Sequence, residues 1–380
     1  MVRHFKAGFA ILMISYFGAC APVAFDAAPT ATPKAANVVT RCEGATCFYD
    51  VTEEKTVGEG LVDILIVNDN SGSMSFEQKK MATAFSGFLT SIQKFDYRIA
   101  MITTDVASGG NLIEFATGMK YLDRSTYNKQ TLFNNAIVRQ ETADCEASGF
   151  TNCPSGDERP IVTMGMTIQN FKSQFARPTA HLAVIVLSDE DERSVSKYNP
   201  CAGYATTAEK NNCEGVKAAF PFEAADEPQY VVDLFRKLNP GSTMSVHSII
   251  VKPTDTACRS AQTGQVMTNS GMPVLGFEGY AMAKLSGLTG GIVGDICQSD
   301  YTSQLQSIGN ALAAKVPSLP FRCRPDKDAY TVTFTNTSNG AVTTPPSSAY
   351  TADYITTMTL NVNVTLDPLT KVTLKYTCKQ

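Results

Sequence analysis

Two apolar runs of strand length, VDILIV at Val62–Val67 and HLAVIVLS at His181–Ser188, constrain the fold more than any other feature of the chain. Both are nearly continuous in Val, Ile and Leu, as strands buried on both faces must be. The segment after the first run sets Met81, Phe85, Phe88, Leu89 and Ile92 on one helical face, the stripe of a helix packed on a sheet. Tyr97–Thr103 reads as a second strand and Leu112–Ala116 as a short one, with helices near 131–141 and 160–175. After His181–Ser188 come a long polar stretch, a helix at 228–238, a strand over Met244–Val251 and a helix at 278–287. A strand over Ile292–Ile296 follows, then a last helix with Tyr301, Leu305, Ile308 and Leu312 on one face. This alternation predicts an α/β fold with a doubly wound, mostly parallel sheet over residues 46–318. After Pro317 the texture changes: Thr331–Thr335, Met358–Val364 and Lys371–Tyr376 alternate with a period of two between Asn, Gly and Pro turns. Residues 319–380 read as a small all-β module, too short to fold well alone, that docks on the α/β domain and pairs with an N-terminal strand at 46–54.

The first twenty residues read as an export signal. Arg3 and Lys6 precede an apolar stretch from Ala7 to Tyr16 that is too short to span a bilayer,. The run Phe17-Gly18-Ala19-Cys20 resembles a bacterial lipobox, with Phe17 where leucine is usual, and implies acylation of Cys20,. Alternatively, cleavage occurs nearby and Cys20 is lost or idle. Residues 21–45, rich in Ala, Pro and Thr up to Thr40, read as a flexible tether,. Ala21 stands where this lipoprotein class carries Asp for inner-membrane retention, which points to an outer-membrane lipoprotein facing the periplasm or the cell surface. Ten cysteines remain: Cys42, Cys47, Cys145, Cys153, Cys201, Cys213, Cys258, Cys297, Cys323 and Cys378. An even set in an exported chain, with no CxxC spacing for metal thiolates, predicts disulfides, for which neighbour pairing is the simplest scheme.

Composition excludes other classes. Thirty-two basic against thirty-six acidic residues leave a net charge of −4 with no cationic stripe, which argues against nucleic-acid binding,. The sequence holds no GxSxG, HExxH or P-loop,. His181 and His247 fall inside strand patterns, where a hydrogen-bonded core histidine is the expected role.

The chemistry concentrates in Asp69-Asn70-Ser71-Gly72-Ser73, directly after the first strand and before the first helix. Ligands of open α/β sheets bind at the carboxyl ends of strands, and one carboxylate with two hydroxyls on a tight turn is a set of hard oxygen donors suited to Mg²⁺. Taken alone, Ser71 or Ser73 reads equally as a helix cap, with Asp69 a turn residue. Asp105, at the end of the second strand, is a candidate acceptor orienting a hydroxyl or water of the site, or else a plain turn aspartate. Glu190, Asp191 and Glu192 read as a solvated acidic loop.

With these motifs the chain, from Val62 to about Val316, resembles the von Willebrand factor type A family. DILIVNDNSGSM is similar to that family's first strand and metal-ion-dependent adhesion site, AVIVLSDEDE places Asp189 at its later aspartate, and LSGLTGG (Leu285–Gly291) resembles its approach to the last strand. Counting back from Pro160-Ile161 sets Ser155 at the third-loop ligand, with serine in place of threonine. The resemblance implies Mg²⁺, with Mn²⁺ or Ca²⁺ as substitutes, held by Ser71, Ser73 and Ser155, while Asp69 and Asp189 act partly through water. It further implies an open coordination position for a carboxylate of a protein or other surface ligand. The expectation is therefore a lipid-anchored adhesin of the bacterial envelope and not an enzyme. A metal-assisted hydrolase using Asp69 and Asp189, or a structural envelope protein with a vestigial site, are the competing classes. The loops closed by Cys145–Cys153 and Cys201–Cys213 are expected to rim the site and set partner choice, or only to stabilise an exported protein.

Overall fold

A computed structural model describes residues 37–43, 46–56, 60–148, 153–154, 156–178, 180–239, 242–263, 276–315, 318–356, 358–362, 366 and 370–379. The leader with Cys20 and the tether up to residue 36 lie outside the described residues. In chain order the elements are β1 (Asn37–Glu43), β2 (Thr46–Thr56), β3 (Leu61–Asn68), α1 (Ser75–Ile92), β4 (Asp96–Thr103), β5 (Leu122–Asp123), α2 (Lys129–Ile137), α3 (Gln140–Ala147), α4 (Pro160–Asn170) and β6 (His181–Leu187). There follow α5 (Thr207–Ala219), α6 (Pro228–Leu238), β7 (Met244–Ile250), α7 (Thr256–Thr263), α8 (Tyr280–Leu288), β8 (Val293–Asp295) and α9 (Thr302–Lys315). The small strands are β9 (Leu319–Pro320), β10 (Tyr330–Asn336), β11 (Val342–Thr343), β12 (Tyr350–Asp353), β13 (Thr359–Val362) and β14 (Thr370–Lys379).

The fold is α/β. A six-stranded sheet has the order β5-β4-β3-β6-β7-β8, parallel throughout except for the antiparallel edge strand β5. Alternate residues of the buried strands serve opposite faces, the geometric consequence of a period of two. Ile64, Ile66, Ala183 and Ile185 join Phe85 and Phe88 of α1, Phe133 of α2 and Leu305 and Ile308 of α9. Leu65, Val67, Val184 and Val186 join Ile161 and Met164 of α4, Val231 and Phe235 of α6 and Leu285 of α8. Gly291, in the turn before β8, is required by close approach: a Cβ there would lie 1.8 Å from the carbonyl oxygen of Val246.

Several sequence expectations need correction. Residues 112–116 are not a strand: Ile113 N–H bonds Met101 O, Phe115 closes a turn with Met119, and the edge of the sheet is completed by β5 instead. The helix expected at 131–141 is two helices, α2 and α3, broken at Val138. The long polar stretch after β6 contains α5, started by a capping box between Thr206 and Glu209. Residues 37–43, read as the end of the tether, form β1 and pair with β2, whereas the expected pairing of the 46–54 strand with the small module is present: β2 hydrogen-bonds along its length to β14 in the antiparallel sheet β1-β2-β14-β10-β11. That sheet and the three-stranded β12-β13-β9 enclose a core of Val51, Phe321, Val332, Leu360, Val372 and Leu374.

All five neighbouring cysteine pairs are joined, 42–47, 145–153, 201–213, 258–297 and 323–378. A chain stapled this densely belongs in an oxidising, extracytoplasmic compartment. Among the described residues no helix is long and apolar enough to cross a membrane.

One charge in the central strand tests the packing. Asp63 of β3 is fully buried, and its Oδ1 accepts from Arg177 Nε (2.9 Å) and Nη2 (2.6 Å). Removing one partner of a buried pair strands the other charge. Arg177→Met is expected to cost about 3 kcal/mol in urea unfolding, with part recovered in the Asp63→Asn/Arg177→Met double variant.

Candidate functional site

The loops after β3 and β6 meet because parallel neighbouring strands in register end side by side. Asn68 pairs with Leu187, and the next residue along, Asp69, donates its backbone N–H to Leu187 O at 3.0 Å. Asp69 and Asp189 are both fully buried. Asp69 Oδ1 accepts from Ser71 N–H (2.8 Å) and Oδ2 from the Ser188 hydroxyl (2.6 Å), so both oxygens are fixed. Ser71 Oγ and Ser73 Oγ are 2.8 Å apart, and Ser73 Oγ donates to Asp189 Oδ1 at 3.0 Å. Asp189 Oδ2 is buried without a hydrogen-bond partner. Neither serine caps a helix: the 3₁₀ turn Gly72–Met74 and α1 both begin without a side-chain cap. The structure thus brings together Asp69, Ser71, Ser73 and Asp189, taken from loops 120 residues apart.

These separations decide whether the set fits an ion. Mg²⁺ holds oxygens at about 2.1 Å, so adjacent corners of its octahedron are about 3.0 Å apart. The Ser71–Ser73 and Ser73–Asp189 spacings match two such edges. The donors are all hard oxygens, and the unpartnered Asp189 Oδ2 supplies an open lone pair.

Ser155 lies outside the described residues. In its neighbourhood the structure instead presents Glu158, fully buried just before α4. Thr104 Oγ1 donates to Glu158 Oε2, while Oε1 is buried and unpartnered. Sequence reasoning missed Glu158; the signal available was an acid two residues ahead of a Pro-initiated helix. It also missed Ser188, directly before Asp189, which anchors Asp69. Asp105 caps the 106–108 turn by accepting Ala107 N–H, the turn role.

Burial without counter-charge shapes the electrostatics. Desolvation first, then the charges of Asp69, Glu190 and Glu77, hold the Asp189 carboxyl well above the ordinary carboxylate range. Burial followed by Asp69 and Glu190 does the same to Glu158. Burial and Asp69 push Glu190 up to about 8. Burial also raises Asp69, with Glu77 adding to it.

The acidic run expected to be solvated is mostly interior. Asp191 and Glu192 are fully buried. Asp191 accepts the N–H groups of Ala281 and Met282 at the start of α8, and Glu192 Oε2 accepts that of Ile161 at the start of α4 (2.6 Å). Carboxylates at helix amino termini satisfy orphan donors and favour the dipole. This run therefore pins the Asp189 loop to two helices.

Further contacts support the Asp69 loop. Gln78 Nε2 donates to Asp69 O (2.9 Å), and the Thr142 hydroxyl donates to Asn70 O (2.8 Å), which docks α3, the helix that carries Cys145 of the Cys145–Cys153 disulfide, on the site. Phe277 N–H bonds Asp189 O (2.8 Å), and Phe277 packs with Val195, Cys201 and Cys213. An open groove lined by Asn70, Asp105, Asn111, Arg139 and Asp144 runs beside these loops.

No family model matches the chain, and no curated protein matches it. Among solved structures, the pilus adhesin SpaC of Lactobacillus rhamnosus GG aligns at 13% identity and a TM-score of 0.32, over 91% of this chain and 43% of that one. The pilus adhesin RrgA of Streptococcus pneumoniae aligns at 12% and 0.30, over 87% of this chain and 58% of that one. The human COPII-coat protein Sec24c aligns at 10% and 0.37, over 87% and 41%. The chain spans less than two thirds of the length of each.

Proposed function

We propose that the chain is a von Willebrand factor type A-like, doubly wound module that binds a partner through a divalent cation, as a lipid-anchored adhesin of a bacterial envelope. The observation that carries this reading is the chain of oxygens from Ser71 through Ser73 to Asp189, spaced at 2.8 and 3.0 Å beside the buried Asp69. Ser71, Ser73 and Asp189 would hold the ion, Mg²⁺ by its size. Glu158 is the acid available from the third loop, and Asp69 orients the turn through Ser71 N–H and Ser188. A bound Mg²⁺ supplies an electrophile whose open position accepts a carboxylate oxygen. The neutral serine hydroxyls leave its charge less compensated than an all-carboxylate shell would. Helix α3, tied to Asn70 through Thr142 and crosslinked by Cys145–Cys153, rims the approach and contributes to partner choice.

Both described histidines are committed to hydrogen bonds within the sheet core, so neither is offered as a general base, and binding is the simpler reading,. His181 pairs with Val62 at the start of β3, a strand length from Asp69, and bonds Thr243 and Ser245 (both 2.8 Å). His247 Nδ1 accepts Ile292 N–H.

Addition of Mg²⁺ to EDTA-treated protein is expected to raise Tm by about 5 °C at an ion concentration about 100 times Kd. Ser73→Ala and Asp189→Asn should lose that rise and, with EDTA, lose capture of a cell-surface ligand. An equal response in wild type and variants would remove the site, and phosphodiesterase or peptidase turnover abolished by Asp189→Asn would favour the hydrolase instead.

Protonation gives a second test. The carboxyls of the cluster have folded pKa values raised above their unfolded ones, so the native metal-free state binds more protons. That stability is fully present below the ordinary carboxylate pKa and is lost as pH rises through the folded value, about 8 for Glu190. In EDTA, Tm is expected to fall steadily between pH 5 and about pH 8.5, and saturating Mg²⁺ to flatten the fall, with protons released on binding. A Tm independent of pH in EDTA would contradict the clustered burial.

Anchoring is read from Phe17-Gly18-Ala19-Cys20 and the non-Asp Ala21. Radiolabelled palmitate should enter wild type expressed in a Gram-negative host and be absent from Cys20→Ser.

A further inference from the structure

A cavity of about 390 Å³ opens at the other end of the large sheet, where α6 and the starts of β6 and β7 meet the strand β9 and the segment Met358–Asn361 of the small module. Its volume falls in the range of roughly 300–1,000 Å³ that takes small organic ligands. Val232, Phe235, Leu288, Phe321 and Met358 give it an apolar wall. Arg236, Lys237 and Arg322 line it too, and no lining residue is acidic, although the chain as a whole carries −4.

The cations are only partly used. Arg322 bonds Glu53 through Nε, and Arg236 reaches Asp233 at 3.4 Å, an exposed partner. Lys237 is exposed and has no ion pair among the described residues. His181 is committed to Thr243 and Ser245, so it closes the floor without needing a ligand.

We propose that this cavity binds a small amphiphilic anion, an acyl chain with a carboxylate head. The chain would lie against Phe235, Leu288 and Phe321 and the head against Arg236 and Lys237. Apolar burial supplies affinity, and the charged donors fix which end points outward. The site is independent of the Asp69 loop: Asp69 and Asp189 follow the carboxyl ends of β3 and β6, whereas His181 and Met244 begin β6 and β7, about 20 Å away along the strands,.

The test is calorimetric titration of the full chain with sodium decanoate below its micelle concentration, in EDTA, beside 1-decanol. Saturable one-to-one binding of decanoate, about tenfold tighter than decanol, is expected. The Arg236→Gln/Lys237→Glu variant should lose about that factor while leaving decanol binding unchanged. Because the chain contains no tryptophan, Leu288→Trp in the cavity wall gives a reporter without background, and decanoate should shift its emission saturably. Calorimetry on the unmodified chain holds whether or not Leu288→Trp folds. Absence of decanoate binding, equal binding of decanoate and decanol, or indifference to the charge variant would each overturn the proposal.

Discussion

Carboxylates buried side by side persist only when protons or a cation separate their charges. Asp69 and Asp189 are interior, Glu158 and Glu77 are interior beside them, and each of the four has either a fixed role or an unpartnered oxygen. The surrounding architecture follows from holding such a group in place. Ser188 and Ser71 N–H lock Asp69, Gln78 and Thr142 lock the backbone behind it, and Asp191 and Glu192 tie the opposite loop to the first turns of α8 and α4. A parallel sheet makes the convergence possible, because it delivers the ends of β3 and β6 to one edge and leaves the chain free to change composition there.

The parts legible in the sequence were those governed by periodicity. VDILIV and HLAVIVLS became β3 and β6, the stripe through Phe85 and Phe88 became α1, and the DxSxS turn landed where a strand end must put it. What failed depended on partners remote in sequence. Asp191 and Glu192 look solvated as a string of acids, and only the arrival of two helix amino termini makes their burial favourable. Glu158 has only a weak local mark, an acid two residues ahead of Pro160, because its place beside Asp69 comes from the 104–105 and 193–194 segments folding over it: Arg193 N–H bonds Glu158 O, and Arg159 N–H bonds Thr104 O. Residues 112–116 have strand composition but find only one sheet bond, at Met101, before the chain turns back at Met119. Helix α5 was hidden because few of its side chains besides Cys213 are buried, and without an apolar stripe there is no period to read,.

The small module shows the same dependence on distant partners. Alone, 60 residues bury too little apolar surface. Borrowing β2 from the other end of the chain gives β14 a second neighbour and adds Val51 to its core. Cys323–Cys378 then closes the module and keeps it folded in a compartment without reducing thiols,.

The two ends of the large sheet carry opposite electrostatic problems, and helix direction explains both. In an α/β fold the helices start near the carboxyl ends of the strands and finish near their amino ends, so partial positive charge faces one edge and partial negative charge the other. At the first edge the amino termini of α4 and α8 already hold Glu192 and Asp191, and the remaining acids, Asp69, Asp189 and Glu158, exceed what the dipoles offset. That surplus is neutralised by protons, or by a cation in the reading proposed above,. At the second edge Arg236 and Lys237 occupy the last turn of α6, where the carbonyl end favours them. Helix carbonyls repel an anion, so only these side chains, reaching past the last turn into an apolar cavity, let that edge hold one. Backbone polarity thus selects acidic side chains at the first edge and basic ones at the second, and those side chains, under the two readings proposed above, would recruit a cation near Asp69 and an amphiphilic anion a strand length away,.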